Sequence, residues 1–566
     1  MVAASLDRSC LAIIAMVAVA QCVPLWRHHW FDSHEGYAYV LRVVEFEAAM
    51  REGDLYPRWA PDFYGGFGSP FFVFYAPLVF AGSAILSAIS GSAVLGLKLW
   101  IALASIASGV GAYVAVKAET QRTDAALLAA LLFLGSPYRL ANIYVRGDIA
   151  EYTALALLPW AVWSYRRIAH ALPIEDGVGR AALAVAVHAM LVFSHAISGL
   201  WGTALLGAVC LATTYQLVQR RTFRHVGLMW TAFALSLAAS SIYTGPALFQ
   251  KRYVQIDLAT QGYNEPLNQL LRVSSLLELG QFGLLPAVLA ALALTALALV
   301  LGRGRAEAFA WCAAAVALAF LSTSYAEAFW GLKLPLTRFI QFPWRLHGLS
   351  ALAAAMAIGL SWSSLFRQTS WREPAALVLG AGALLAAVPL CEVGKPFSRG
   401  SFPETTTEIR NGVYHTTANE YLPRSVPAAP RSPARSLVAR APQIEVVSSW
   451  SRGSVHDIEL LAERAGSVEL SLHLFPGWHV DTVEGSAKVS IETGKAGRVA
   501  LRLPEPGKYR VRVNFGTSPA RALFGALSLL AVLAAWPLFR FIARRPVAVA
   551  LARPSDEAAP SERLAA

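Results

Sequence analysis

The chain has 566 residues, of which 56% are hydrophobic and 15% charged, and its mean hydropathy is +0.48. A water-exposed globular surface does not tolerate that balance, so we exclude a soluble globular protein and expect most of the chain to lie in a lipid bilayer. The formal net charge of +12 comes from short arginine clusters between apolar stretches, which orient membrane helices and do not indicate nucleic acid as a partner. The five cysteines lie in or beside apolar segments without a CxxC pair, so we predict neither a disulfide scaffold nor a zinc site.

Apolar runs of membrane-spanning length recur along the chain, and counting each one gives thirteen spans. With thirteen crossings, several arginine clusters would face outward, against the positive-inside rule. Residues 71–89 form a short run that contains Pro77 and Gly82, so we predict that this run lies at the outer interface or re-enters. Twelve spans remain, near residues 9–26, 94–116, 124–141, 151–166, 180–196, 198–218, 226–246, 276–302, 306–323, 346–366, 374–391 and 519–541. Both termini are then cytoplasmic, with residues 542–566 as a tail.

This topology places the longest polar segments on the non-cytoplasmic side. We predict a transmembrane domain over residues 1–391, with outer loops at residues 27–93, 138–151, 249–275 and 325–345. An outer segment follows at residues 392–518, in which residues 467–474, 498–503 and 508–515 alternate apolar and polar side chains as half-buried strands do. The predicted fold is therefore mainly α, a polytopic helical bundle with an extracytoplasmic β-rich, sandwich-like domain at about residues 437–518.

The first outer loop carries polar side chains directly after the first span, namely Asp32, His34 and Glu35, and further along Arg58. A carboxylate at the membrane surface can act as a general base on an acceptor hydroxyl, or can hold a metal that neutralises phosphate. The alternative is that these side chains are interfacial residues that cap a helix end. We predict Asp32 and Glu35 as candidate catalytic residues and His34 and Arg58 as candidate substrate-binding residues.

The second outer segment contains Arg146, Asp148 and Glu151. If a helix begins near Asp148, both carboxylates occupy its first turn, within reach of the arginine. Such a group is either a self-satisfied ion-pair cluster that caps the helix or a phosphate clamp with an acid/base partner. We predict Asp148 and Glu151 as candidate catalytic residues and Arg146 as a substrate-binding residue, with His195, at the outer end of the fifth span, as a weaker candidate.

A third segment, before the tenth span, combines cations with aromatic residues on the side that the positive-inside rule disfavours. Guanidinium groups bind phosphate in a bidentate manner, while aromatic rings pack on prenyl carbons. The alternative is an interfacial aromatic anchor whose arginines pair with acidic residues of the first loop. The predicted substrate-binding residues here are Arg338, Gln341, Trp344 and Arg345.

At these residues the chain resembles a known family. Asp32-Ser33-His34, Leu55 to Trp59, Tyr144 to Glu151, Gln341 to Arg345 and Phe475 to Trp478 are similar in order and sequence to the bacterial membrane proteins called 6-pyruvoyl-tetrahydropterin-synthase-related. That family is similar in plan to the GT-C glycosyltransferases. The resemblance implies transfer of a sugar from a polyprenyl-phosphate donor, with Asp32 matching the carboxylate of the first outer loop.

We therefore expect a GT-C-like glycosyltransferase of the bacterial inner membrane, acting on an extracytoplasmic cell-envelope glycan, lipid or protein acceptor. The sequence identifies no certain cofactor and leaves a divalent cation open. The alternative functions are a lipid or polysaccharide flippase and a non-enzymatic scaffold for envelope assembly. A transporter normally carries ionisable residues near the middle of the membrane, where His188 is almost the only such residue here.

Overall fold

The structure, a computed structural model, describes residues 2–278, 282–334, 337, 339–367, 371–398, 400, 403–416 and 418–544. The predicted residue Arg338 and residues 545–566 of the predicted tail therefore lie outside the described residues. Over the described ranges the chain is mostly helical up to residue 411, forms two β-sheets between residues 444 and 515, and ends in one long helix.

The helices up to residue 250 are α1 (Val2–Ala20), α2 (Val23–Arg27), α3 (Gly36–Arg51), α4 (Phe71–Phe74), α5 (Leu78–Ser90), α6 (Ala93–Thr120), α7 (Thr123–Leu134), α8 (Pro137–Tyr144), α9 (Ile149–Ala169), α10 (Asp176–Ser194), α11 (Ala196–Gln219), α12 (Phe223–Ala239) and α13 (Ser241–Gln250). The later helices are α14 (Leu285–Val300), α15 (Ala306–Leu321), α16 (Glu327–Gly331), α17 (His347–Leu365), α18 (Arg372–Ala387), α19 (Thr406–Asn411) and α20 (Pro519–Arg544).

Six of these helical segments, in the described part of the chain, are long and apolar enough to cross a membrane, and two bent pairs raise the number to eight. The bent pairs are α7 with α8, at 41°, and α12 with the helical segment Ser241–Tyr253, at 55°. Each pair replaces one predicted straight span. In the first pair Pro137 begins α8, where a proline lacks the N–H needed to continue the preceding helix.

The predicted interfacial run, residues 71–89, folds as the one-turn helix α4 and the helix α5. At 13 residues, α5 is about 20 Å long, which is shorter than the hydrocarbon core of a bilayer. Two further apolar helices, α14 and α15, have 16 residues each. The fold therefore confirms a mainly helical chain with six to eight candidate membrane spans in its described part, while twelve crossings and their sidedness stay predictions.

The strands are β1 (Trp30–Phe31), β2 (Pro396–Phe397), β3 (Ile444–Arg452), β4 (Val455–Ala462), β5 (Gly466–His473), β6 (Trp478–Glu484), β7 (Ser490–Thr493), β8 (Arg498–Leu503) and β9 (Gly507–Phe515). One antiparallel sheet has the order β3-β4-β9-β6 and a second has the order β5-β8-β7, while β1 pairs with β2. The three alternating stretches read from the sequence coincide with β5, β8 and β9. Apolar side chains of both larger sheets pack into one shared core, as facing sheets do.

The β-rich region is joined to the first loop by aromatic packing. Trp59 of that loop lies 5.2 Å from the ring of Trp478 and 4.7 Å from that of Phe515. Val73 and Phe74, the last two residues of α4, belong to the same hydrophobic core as the two sheets. The first loop and the β-rich region are therefore one packed unit.

Candidate functional site

The site is built on the first turn of α9. Asp148 precedes the helix as its N-cap, and its Oδ1 accepts the backbone N–H of Glu151 at 3.0 Å. This confirms the prediction that both carboxylates share the start of one helix, where the helix dipole favours negative charge. Gly147 enters the turn at a φ of +65°, and its Cα lies against Gly36, the first residue of α3. The two loops therefore meet backbone to backbone.

The guanidinium of Arg146 donates hydrogen bonds to several side chains around it. Its Nη1 donates to Glu151 at 2.8 Å and to the hydroxyl of Tyr138 at 2.9 Å, and also contacts Oδ1 of Asn142. Its Nη2 donates to Oδ2 of Asp148 at 3.0 Å. Since the arginine is only 5% exposed, these charge-assisted bonds fix the guanidinium in place.

Arg345, which precedes α17, completes the group from a distant part of the chain. Its Nη1 donates to Nε2 of His195 at 2.8 Å, across 150 residues of sequence. Its distances to Glu151 and Asp148 are 3.6 and 3.7 Å, which is beyond hydrogen-bond length, and its Nε has no partner among the described residues. Arg345 therefore donates no hydrogen bond to the two carboxylates, whereas Arg146 donates one to each. We call Arg146, Asp148, Glu151, His195 and Arg345 the ion-pair cluster.

The ion-pair cluster is electrically balanced, because two guanidinium groups face two carboxylates. Burial alone would raise the pKa of Asp148, but the nearby His195, Arg146 and Arg345 lower it below its ordinary value. Burial lowers the pKa of His195, and the adjacent carboxylate of Asp148 only partly opposes that effect. At neutral pH the aspartate is therefore charged and the histidine neutral.

Two tyrosines that sequence reasoning missed bond directly to the carboxylates of the cluster. The hydroxyl of Tyr138 donates to Oε1 of Glu151 at 2.5 Å, and that of Tyr39 donates to Oδ1 of Asp148 at 3.0 Å. Tyr138 is the second residue of α8, close in sequence to the Arg146, Asp148 and Glu151 motif, so the sequence offered a signal for it. Tyr39 lies in α3 among apolar residues, and no local signal in the sequence marks it.

The first-loop candidates lie around the cluster, not inside it. The backbone N–H groups of His34 and Glu35 donate to the carbonyls of Val145 and Arg146 at 3.1 and 2.7 Å. The side chain of Glu35 accepts hydrogen bonds from Arg42 at 3.2 Å and Tyr75 at 3.1 Å, whereas the side chain of His34 is exposed.

Asp32 is also exposed, and its backbone N–H donates to the carbonyl of Lys395 at 2.8 Å, which extends the pairing of β1 with β2. The carboxylate of Asp32, predicted as the catalytic base, therefore faces solvent. It lies on the same loop as His34 and Glu35, which bond to the turn before α9.

The other predicted binding residues divide into those near the cluster and those apart from it. The ring of Trp344 lies 4.7 Å from the guanidinium of Arg146 and stacks on Phe342 at 4.8 Å. In contrast, Arg58 donates to the carbonyl of Ile242 at 2.9 Å, and Gln341 donates to that of Ala259 at 2.6 Å. The structure thus brings Trp344 to the cluster and directs Arg58 and Gln341 to other partners.

Ligand atoms of Asp148, Glu151 and His195 all lie within 4.8 Å of one another, which is close enough to consider a metal ion. The two carboxylates, however, already face the guanidinium groups of Arg146 and Arg345. A divalent cation would add two positive charges to a balanced, buried group. The residues present therefore do not fit a resident cation while both arginines stay in place.

The fold and site together define a polytopic membrane protein with a buried ion-pair cluster at its helix ends and a C-terminal β-rich region. The chain belongs to the family of 6-pyruvoyl-tetrahydropterin synthase related membrane proteins, whose model matches residues 72–391, more than half of the sequence. The family resemblance noted in the sequence is thus confirmed. A search of curated protein sequences found no match.

Among solved structures, the chain is similar to the crystal structure of the Archaeoglobus fulgidus oligosaccharyltransferase in complex with Zn and sulfate. The TM-score is 0.43 and the sequence identity 16%, over 74% of this chain and 59% of that one. The chain thus spans less than two thirds of that protein, and a similarity of this size does not establish a shared fold.

Proposed function

We propose that this protein is a membrane glycosyltransferase that moves a sugar from a polyprenyl-phosphate donor to an extracytoplasmic acceptor of the cell envelope. The observation that carries the proposal is the buried Nε of Arg345, an N–H donor without a partner among the described residues. The same guanidinium bonds to His195 and lies 3.7 Å from Asp148. A buried guanidinium with unused N–H donors is suited to an anionic oxygen such as that of a phosphate.

The surroundings of Arg345 suit the remaining parts of such a donor. Trp344 and Phe342 are half-buried and stacked beside it, and they offer apolar surface to the first prenyl units. Arg146 keeps the two carboxylates of the cluster paired, so they do not repel an incoming phosphate as strongly as bare carboxylates would. The phosphate therefore meets a site that is held in shape before it arrives.

In this proposal Asp32 is the general base on the exposed loop. The acceptor hydroxyl oxygen attacks the anomeric carbon as its proton passes to the carboxylate of Asp32. The bond from the anomeric carbon to the phosphate oxygen breaks, and its electron pair stays on the phosphate, whose charge Arg345 stabilises. A direct displacement of this kind inverts the configuration at the anomeric carbon.

The test is sugar transfer by the purified protein in liposomes, with radiolabelled polyprenyl-phosphate sugars and a cell-envelope fraction as acceptor. We expect the label to move to the acceptor, and Arg345→Gln to slow transfer by roughly 100-fold or more, as loss of a group that stabilises developing charge does. Arg345→Lys should also be slow, because an ammonium group does not reproduce the planar guanidinium. The matched control is Arg512→Gln, which breaks the ion pair between the exposed Arg512 of β9 and Asp457 of β4.

The outcome also separates the alternative functions. Labelled donor that crosses the bilayer unchanged would indicate a flippase. A scaffold would keep its cellular phenotype after Arg345→Gln and Asp32→Asn but lose it when residues 392–518 are deleted. Either result would contradict the transferase proposal.

A further inference from the structure

A second charged site lies away from the ion-pair cluster, where the first loop meets the β-rich region. A cleft of about 370 Å³ opens there between the loop residue Phe67, the linker at residues 430–436 and the start of β8. Three arginines line it, Arg431 and Arg435 from the linker and Arg498 from β8. Among the described residues that line the cleft, none is acidic.

The three arginines are not neutralised by neighbouring groups. Within the described ranges none of them has a carboxylate within 4.0 Å, whereas Arg502, further along β8, and Arg512, on β9, do. Arg431 and Arg435 are exposed, and the guanidinium of Arg498 lies over the ring of Phe67 at 4.9 Å. The buried His473 next to Phe67 adds no negative charge. The cleft is therefore positive.

Backbone hydrogen bonds hold the walls of the cleft together. The N–H of Ala434 donates to the carbonyl of Gly65, and the N–H of His473 donates to that of Phe67, both at 2.8 Å. Gly65 has a φ of +70°, and a Cβ at this position would lie 2.7 Å from the Cα of Pro433. The linker is thus pressed onto the first loop, and the three guanidinium groups are carried on a defined surface.

We propose that this cleft binds an anionic sugar unit, a carboxylate- or phosphate-bearing residue of a glycan. Guanidinium groups supply paired donors for the anion, and the serine hydroxyls of the lining, Ser432, Ser436 and Ser471, match the hydroxyl groups of a sugar ring. The binding does not require sugar transfer at the ion-pair cluster, so a result that contradicts one proposal does not contradict the other.

The lining favours a glycan over a lipid. Phe67, the largest apolar side chain of the lining, is only 7% exposed because Arg498 covers it. An acyl or prenyl chain would therefore find little apolar surface, whereas a charged, hydroxylated ligand would find donors on several sides.

The test is binding to the full-length protein in nanodiscs of zwitterionic phosphatidylcholine, measured by calorimetry. The probes are tetragalacturonate, which is anionic, and maltotetraose, which is neutral. We expect tetragalacturonate to bind with an affinity that falls as salt is added, and maltotetraose not to bind. Combining Arg431→Gln with Arg435→Gln should weaken binding about tenfold or more.

The matched control combines Arg440→Gln with Arg464→Gln, which removes two exposed arginines that lie outside the linker and do not line the cleft. Its affinity for tetragalacturonate should equal that of the unaltered protein. An equal loss in this variant would show attraction to net charge alone and overturn the site. Vesicles with phosphatidylglycerol are a separate arm: binding to these vesicles that requires Arg431 and Arg435, without binding of tetragalacturonate, would assign the cleft to a lipid headgroup instead.

Discussion

At the scale of single residues, Arg146 and Arg345 face the same two carboxylates but stabilise them to different extents. Arg146 donates a hydrogen bond to each carboxylate through its two Nη atoms, whereas the guanidinium of Arg345 lies 3.6 Å from Glu151 and 3.7 Å from Asp148. Removing Arg146 leaves the buried carboxylate charge uncompensated, which costs about 3–5 kcal/mol. We therefore expect Arg146→Ala to destabilise the protein strongly and Arg345→Gln to cost less, about 1–2 kcal/mol.

Thermal unfolding of the two variants in detergent checks this difference. A larger fall in the melting temperature is expected for Arg146→Ala, with Arg345→Gln folded and closer to the unaltered protein. An equal fall in both variants would mean that Arg345 is as structural as Arg146, and its proposed role toward phosphate would lose its basis.

The residues of the cluster show how far local sequence reasoning extends. Spacing alone places Asp148 and Glu151 in one helical turn, because both residues belong to the same helix start. The contact between His195 and Arg345 spans 150 residues and has no local signature, so only the packed fold brings the two together. Arg58 was predicted to bind substrate because it is a cation on the first loop, but its guanidinium donates to a backbone carbonyl of α13.

At the scale of elements, the approach of two loops depends on Gly147. A Cβ there would lie 2.3 Å from the backbone nitrogen of Gly36, and the φ of +65° is itself unfavourable for other residues. We expect Gly147→Ala to separate the first loop from the start of α9, lowering both the melting temperature and any transfer activity. Gly91→Ala is the matched control, since its φ is +74° but no atom lies within 4 Å of the added Cβ.

The two glycine variants share backbone strain of about 1–2 kcal/mol. Only Gly147→Ala adds the steric clash, so the difference between the two variants measures the loop contact. Equal melting temperatures and unchanged activity in both variants would contradict an essential approach of the loops.

The contact between β5 and the first loop should make stability depend on pH. Burial lowers the pKa of His473 to about 4, although the hydrogen bond from its Nδ1 to the carbonyl of Gly68 acts in the opposite direction. The folded state therefore resists a proton that the unfolded chain accepts near pH 6.5, and stability falls as the pH drops from 6.5 toward 4. The gap corresponds to on the order of 3 kcal/mol.

We expect His473→Asn to retain a donor toward Gly68 and to lose less stability on acidification than the unaltered protein. Melting temperatures between about pH 7 and pH 4.5 check this. His195 and His456, whose pKa values burial also lowers, contribute equally in both proteins, so the difference isolates His473. Identical pH profiles would show that this histidine does not couple to folding.

Two bent helix pairs show where counting spans from hydropathy fails. The predicted spans at residues 124–141 and 226–246 look continuous in composition, but the chain bends by 41° near Ser136 and by 55° near Ser240. In the first case Ser136-Pro137 carries a readable signal, because proline is favoured at a helix start. Strand alternation is a more reliable guide, since the period-two stretches of the sequence coincide with β5, β8 and β9, and burial alternates residue by residue along β9.

At the scale of the whole molecule, one side of the protein must hold both proposed sites. The first loop is hydrogen-bonded to the turn that contains Arg146, and the linker and β5 are hydrogen-bonded to the same loop. The ion-pair cluster, the exposed Asp32 and the arginine cleft are therefore connected through one loop. If the loop faces outward, a glycan held in the cleft and a donor at the cluster lie on the same side of the membrane.

Sidedness is open to direct measurement by cysteine labelling in a background that carries Cys391→Ala, since the other four cysteines are buried. Leu55→Cys and Ser432→Cys introduce exposed thiols on the first loop and the linker. We expect a membrane-impermeant maleimide to label both in intact spheroplasts. Arg220→Cys, at the end of α11 in an arginine cluster predicted to be cytoplasmic, should be labelled only after permeabilisation. Labelling of Arg220→Cys in intact spheroplasts, with Leu55→Cys protected, would invert the topology and remove both proposed sites from the envelope side.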